Sequence, residues 1–264
     1  MKARKLMAAM MSVAVMGMLS ATAIAEEQVG TVTVYAEKSS IGQGLTLFPV
    51  EVPLYEGDMG IDVVKRAAEN VQVTESEYGD YVSGFADVDN GADIPEEVKA
   101  VCPEMFGRNT EGYLSAYDYT AESGWSYFVN DEYAQVGITG YTPADGDVIC
   151  FRFSVYGYGC DLGIDNTSWG GPAPLVELVE EAELAEMLCE YSKYADTAEY
   201  KAAAETLGAF GATQAEIDSA IASIDSFGDV TENKESPDTG VEGIAVLVGS
   251  VVLAAGAVLL SKKK

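Results

Sequence analysis

The spacing of apolar positions changes once along the chain. From Val29 to about Gly163 it is close to two, as in strands; from about Pro174 to Gly228 it is close to 3.6, as in helices. In GTVTVYAEK, Val32 and Val34 fall on one face and Thr31, Thr33 and Tyr35 on the other. GLTLFPVEVPLY reads as a second strand, and Pro49 and Pro53 place it at an edge or a bulge, because proline cannot donate to a ladder. EGDMGIDVVKRAAEN predicts a short helix, with Asp58 as N-cap and Ile61, Val64 and Ala68 as its apolar stripe. A third strand is expected near YVSGFADV. GWSYFVNDEYAQVGI predicts a hairpin: Trp125, Tyr127 and Val129 alternate with Ser126 and Phe128, and Asn130-Asp131 suits a tight turn with positive φ. The final strand, in TPADGDVICFRFSVYGYG, sets Ile149, Phe151, Phe153 and Val155 against Cys150, Arg152 and Ser154. Residues 90–120 form a connection longer than a compact domain needs, and such loops are often functional.

Trp169-Gly-Gly-Pro-Ala-Pro174 marks the change of period and a boundary. Three helices are expected beyond it. The first runs from Leu175 to about Lys193, and the second, opened by Asp196 and Glu199, to about Phe210. Thr213-Gln-Ala-Glu216 is a capping box for the third, with Ile217, Ala220, Ile221 and Ile224 on one side and Gly228 as its stop. The expected class is therefore α+β: a β-rich domain over 29–163, a three-helix unit over 174–228 and a polar linker over 229–235.

The two ends follow other rules. Lys2, Arg4 and Lys5, an apolar stretch and Ala23-Ile24-Ala25 have the plan of a signal peptide over 1–25, cut by signal peptidase after Ala25. At the other end, Ile244 to Leu260 is uncharged, long enough for an untilted membrane crossing, and followed by Lys262, Lys263 and Lys264. Just ahead of it stands Ser236-Pro237-Asp238-Thr239-Gly240.

Composition narrows the function classes. The formal net charge is −28, and six of the 15 Lys and Arg residues lie in the two ends just described. Nucleic acid is excluded as a partner, since affinity for it comes from neutralising phosphates. The chain has no histidine, which removes Ser-His-Asp and Cys-His nucleophilic machinery and His-ligated metals. No nucleophile motif or cofactor loop is present, and the chain reads as a non-enzyme that requires no cofactor. Cys102, Cys150, Cys160 and Cys189 contain no Cys-x-x-Cys pair, and their spacing is compatible with one disulfide or none.

Pro237, Thr239 and Gly240, with the apolar run and basic tail, resemble the Leu-Pro-x-Thr-Gly sorting signal of Gram-positive surface proteins, with Ser236 in place of the leucine. The resemblance implies a sortase that cuts after Thr239 and links it to peptidoglycan. The expected mature protein is then residues 26–239, extracellular and anchored to the cell wall, or retained in the membrane if unsorted. Tyr81-Val82, Ser123-Gly124-Trp125, Tyr127, Val129-Asn130, Tyr141 and Asp145-Gly146-Asp147 resemble a family of bacterial surface domains related to the C-terminal domain of transcobalamin. That resemblance covers 29–163 and implies a β-grasp-like fold, with cobalamin as a conceivable ligand. The relative also needs a helical domain to complete its pocket, and this chain has no counterpart to it. Tyr194, Thr197, Tyr200 and Ala212–Asp218 make the helical unit similar to a FIVAR module, a spacer or carbohydrate-facing accessory.

Two sets of residues are candidates for binding. Trp125, Tyr127, Asn130 and Tyr133, with Tyr156 and Tyr158 near the same edge, offer aromatic faces and an amide to a sugar, ring or corrinoid. Their alternative role is cross-strand packing. Asp87, Asp89 and Asp93 in ADVDNGAD are spaced as in a calcium loop, although Gly91 comes one place early for an EF-hand. The expected function is a wall-displayed binding or adhesion protein that captures a small ligand such as a corrinoid or glycan. The alternative is a structural or protein-adhesive spacer without a small-molecule site.

Overall fold

The computed structural model describes residues 27–76 and 79–232. The expected signal peptide and the sorting signal with Pro237, Thr239 and Gly240 lie outside the described residues. Among the described residues no helix is long and apolar enough to cross a membrane.

The fold is mixed α+β. Strands β1 (Gln28–Glu37) and β2 (Leu45–Tyr55) form an antiparallel pair, and helix α1 (Gly60–Ala67) follows. Next come β3 (Gln72–Thr74), β4 (Tyr81–Ala86), helix α2 (Glu96–Val101) and β5 (Tyr113–Ser115). Strands β6 (Gly124–Val129), β7 (Glu132–Tyr133) and β8 (Val148–Ser154) complete the β region. Helices α3 (Ala182–Glu190), α4 (Ala198–Leu207) and α5 (Gln214–Glu232) close the chain.

The larger sheet has the order β2-β1-β8-β6-β7, with β1 and β8 parallel at its centre. The sheet is thus built from a hairpin, a crossing helix and a last strand that returns parallel beside the first. Its proline-bearing strand, β2, is at the edge. The register shifts where Val34 faces Val50 and Ala36 faces Leu47, so the irregularity falls on Phe48-Pro49. A smaller sheet, β3-β4-β5, is inserted between the halves of this plan and absorbs the long 90–120 connection.

Both faces of the larger sheet are covered. On one, Val32, Val34, Tyr127, Ile149 and Phe151 pack with Ile61, Val63 and Val64 of α1 and Phe85 of the smaller sheet. On the other, Tyr35, Phe128, Val148 and Cys150 pack with Leu184, Leu188, Tyr200, Leu207, Ile217 and Ile224 of the three helices. The helices therefore do not build a core of their own. Short amphipathic helices bury too little apolar surface against one another, and the sheet supplies the rest.

Several local expectations are corrected. Asp58 is not the cap of α1: it accepts from Tyr55 N at 2.8 Å and pairs with Arg66, while Asp62 accepts from Met59 N at 3.0 Å. The stripe is Ile61, Val63 and Val64, and Ala68 is already extended. Helix α3 starts seven residues later than Leu175, at Ala182. Its first N–H groups are satisfied from another element, the Asp131 carboxylate, which accepts from Glu181 N at 2.8 Å and Ala182 N at 3.1 Å. Thr197, not Asp196, caps α4, accepting from Tyr200 N at 3.2 Å. The capping box at Thr213 and Glu216 forms, with Thr213 N donating to Glu216 Oε2 at 2.8 Å. Gly228 does not stop α5, which runs to Glu232 into the expected linker. A side chain at Gly228 would lie 2.9 Å from the Tyr191 hydroxyl oxygen, so this glycine permits a close helix contact instead.

Candidate functional site

The β6–β7 hairpin sets one wall of the site. Asn130 and Asp131 take φ of 50° and 66°, the left-handed pair that a two-residue hairpin turn requires. Asn130 is consumed in the turn: its Nδ2 donates to Asp147 Oδ1 at 2.9 Å and its Oδ1 accepts from Val148 N at 2.8 Å. Tyr127 points into the core, stacked on Phe151 at 5.7 Å, and its hydroxyl donates to Val136 O. Burial pushes its phenol up to about 12. These two expected ligand residues are structural, because strand alternation turns Tyr127 inward and the turn uses both ends of the Asn130 amide.

Trp125 and Tyr133 are placed differently. The Trp125 indole N–H donates to Leu114 O at 3.0 Å, and its ring packs on Phe85 and Phe153 at 4.7 and 5.1 Å. One side of the ring still reaches a surface depression of about 320 Å³. Tyr133, at 40% exposure, lines the same depression together with Tyr81, Tyr117 and Tyr158. Tyr81, Tyr117, Tyr133 and Tyr158 are all the tyrosines among the exposed large apolar side chains of the described residues, and they converge on this one concavity. Glu122 and Ser126 add polar groups to it; Ser123 and Ser154 also line it but are buried, and the Ser154 hydroxyl donates to Asp161. Strand β7 pairs only with Phe128 and Val129, so the outer edge of β6 at Gly124–Ser126 has no strand beside it.

Two of these tyrosines stand in conformations that bulky residues rarely adopt. Tyr117 has φ of 69° and Tyr158 of 56°. Such strain persists only where the surroundings over-determine it. Tyr117 N donates to Ser123 O at 3.0 Å, and Asn109 Nδ2 donates to Tyr117 O at 2.9 Å. Beside Tyr158, Asn166 Nδ2 donates to Gly157 O at 2.7 Å, and Gly157 N donates to Glu122 Oε2 at 3.2 Å. The result is two exposed rings, 59% and 69% accessible, held at the rim by fixed backbone.

The glycine-rich exit after β8 is explained by a buried carboxylate. Asp161 accepts from Ser154 Oγ at 2.6 Å and Val155 N at 2.7 Å, which folds 156–163 back on the strand end and projects Tyr158 outward. Burial raises the Asp161 carboxyl to about 6 against these hydrogen bonds.

The calcium expectation fails on charge. Asp87 is buried between two cations, with Lys38 Nζ on Oδ1 and Arg108 Nη2 2.7 Å from Oδ2. Asp89 is half exposed and bound to the Gly91 N–H at 3.0 Å. Among the described residues no group of three His, Cys, Asp or Glu side chains is placed to hold a metal ion. All four cysteines are free thiols.

Sequence reasoning reached Trp125, Tyr133 and Tyr158 as neighbours of one edge, but missed Tyr117, Glu122 and Ser126 as members of the site and quoted Tyr81 only for its family resemblance. They come from separate elements, and the visible signal was the content of 15 tyrosines in a chain with 2 tryptophans.

Residues 109–155, less than a fifth of the chain, match a domain family described as a domain of unknown function (DUF4430). The match includes Tyr117, Glu122, Trp125, Ser126, Tyr133 and Ser154. No curated protein matches the chain. Among solved structures, haptocorrin in complex with Cbi is similar at 16% identity and TM-score 0.32, over 48% of this chain and 25% of that one. A candidate metal-binding protein from Ruminococcus gnavus ATCC 29149 is similar at 15% identity and TM-score 0.28, over 49% of this chain and 99% of that one. The chain thus spans a quarter of the length of haptocorrin. Neither similarity bears on what this chain binds.

Proposed function

We propose that this protein is a binding module, not an enzyme, displayed on a Gram-positive cell wall, and that the tyrosine-lined depression takes neutral sugar rings. The observation that carries the reading is the convergence of Tyr81, Tyr117, Tyr133 and Tyr158 on one shallow concavity beside Glu122 and Ser126. Aromatic faces bind the apolar faces of sugar rings, and the Glu122 carboxylate and Ser126 hydroxyl meet their hydroxyl groups. A volume of about 320 Å³ is at the low end for ligand sites, which favours one or two sugar rings over a corrin macrocycle. The net charge of −28 favours a neutral glycan over an acidic one. In this reading signal peptidase and sortase are processing partners, and peptidoglycan is the covalent support.

Two experiments separate the parts of the proposal. A glycan array probed with the wild-type protein and with Tyr117→Ala should show neutral-glycan signals that the substitution lowers by about tenfold, an aromatic anchor being worth about 1.4 kcal/mol. Equal signals from both proteins would reject the site. Display is tested by Thr239→Ala, which should abolish covalent recovery with wall fragments; unchanged recovery would reject sortase anchoring.

A further inference from the structure

A second cleft lies away from the tyrosines, where the start of β2, the loops at 86–90 and 108–112 and helix α4 meet. Its polar part, about 1010 Å³, has Lys38, Thr46, Asp87 and Arg108 as its floor and Asp89 at its rim. Its apolar part, about 440 Å³, is lined by Leu45, Phe48, Tyr200 and Ala204. Gln43 and Leu45 line both parts, which therefore adjoin at the start of β2.

The charges of the floor do not balance. The Lys38 ammonium and the Arg108 guanidinium, 3% and 7% exposed, share one buried carboxylate, Asp87. Thr46 Oγ1 adds a hydrogen bond to the same carboxylate at 3.0 Å. Two buried cations against one buried anion leave one positive charge, which is costly unless an anion stands close. Within the chain that anion is Asp89, 3.8 Å from Arg108 Nε and 52% exposed. The nearest atoms are thus beyond hydrogen-bond length, and the Asp89 carboxylate is also engaged by the Gly91 N–H. The apolar groove adjoins this floor at Gln43 and Leu45, with Phe48 53% exposed on its wall.

We propose that this cleft binds a small monoanionic amphiphile, whose carboxylate takes the place of Asp89 opposite Arg108 and Lys38 while its apolar body lies along Leu45, Phe48, Tyr200 and Ala204. The head cancels the remaining charge of the floor, and the body covers the apolar wall. The negative field of the whole chain opposes the approach of an anion. At physiological ionic strength that field is screened beyond about 8 Å, whereas the two cations act within contact distance.

The test is calorimetric titration of the protein with decanoate and with decanol, each below its aggregation concentration. Two surface variants, Asp89→Asn and Phe48→Ser, are titrated in parallel, and their melting curves are recorded to show that they fold. Decanoate should bind one to one and decanol about tenfold or more weaker. Asp89→Asn should tighten decanoate binding by removing the competing anion, and Phe48→Ser should weaken it. Decyl sulfate binding as well as decanoate would assign the site to anionic amphiphiles in general and still support it. Absence of decanoate binding, equal binding of decanol, or failure of Asp89→Asn to tighten binding would each overturn the proposal. Because the tyrosine depression shares no lining residue with this cleft, failure here leaves the glycan reading untouched.

Discussion

Arg152 Nη2 lies 2.9 Å from Glu181 Oε2, and this buried ion pair fastens the helical layer to the sheet. Arg152 belongs to β8, and Glu181 immediately precedes α3. The same Glu181 oxygen accepts from the Tyr35 hydroxyl at 3.3 Å, and the guanidinium lies over the Phe128 ring at 4.5 Å. Glu37 and Asp131 stand 3.9 and 4.0 Å from the guanidinium. One cation therefore faces three carboxylates in a closed space. Burial pushes the Glu181 carboxyl up to about 7; Arg152 pulls against this, and Glu37 and Asp131 add to it.

A pH dependence follows from that shift. A carboxyl whose folded pKa is raised contributes stability that is complete below its unfolded value, near 4.5, and is lost as pH rises through about 7. Asp161, raised by burial to about 6, acts in the same direction. The melting temperature should be higher at pH 5.5 than at pH 8, the stability difference from Glu181 over that interval being about 2 kcal/mol. Glu181→Gln should remove most of that slope. A melting temperature that rises from pH 5.5 to pH 8 in the wild-type protein would contradict this assignment.

Removing the cation should cost more than removing an acid. Arg152→Met leaves Glu181 and Glu37 buried without their partner, and breaking such a pair costs about 3–5 kcal/mol. The double variant Arg152→Met/Glu181→Met should recover much of the loss. Urea denaturation of the two variants measures this directly. A double variant no more stable than Arg152→Met alone would show that packing, not charge, holds the layer.

Asp131 joins the hairpin tip to the start of α3 through two backbone N–H groups. Asp131→Ala should lower stability by about 1–2 kcal/mol, the usual range for a lost cap. Hydrogen exchange should speed up at Glu181 and Ala182 before it does so in β6. Unchanged protection there would mean that water replaces the cap without loss.

The hairpin was legible in the sequence because its signals are local: Asn130-Asp131 sits between alternating apolar residues, and the structure realises both. The start of α3 was not legible, because its cap lies some 50 residues away in sequence. The pattern at Leu175, Leu178 and Val179 looks helical, yet in the structure Leu175 N donates to Cys160 O at 2.8 Å and no helix forms before Ala182. The cleft at Lys38 was invisible for the same reason, since its second cation is Arg108, brought in by a different loop. Of the aromatic site, Trp125 and Tyr133 follow from strand geometry. Tyr158 was placed near the same edge, but its outward projection, like the position of Tyr117, depends on a strained turn that no periodicity announces.

The free thiols should differ sharply in reactivity. Burial pushes Cys150 up to about 12 and Cys189 up to about 11, while Cys102 is partly exposed, its thiol raised to a smaller degree by burial. Under native conditions without reductant, iodoacetamide should label Cys102 first and leave Cys150 unmodified until the protein is unfolded. All four should then be labelled. Failure of any pair to react after unfolding would reveal a disulfide.

The central claim is that the tyrosine depression binds neutral glycans, and Trp125 reports on it from within. Replacing the 88% exposed Trp169 by phenylalanine leaves Trp125 as the sole tryptophan. Titrating that Trp169→Phe protein with the best array glycan should change Trp125 fluorescence saturably, and adding Tyr158→Ala should abolish the change while leaving the melting temperature within about a degree, as expected for an exposed side chain. A saturable response that survives Tyr158→Ala, or no response to any neutral glycan, would contradict the assignment.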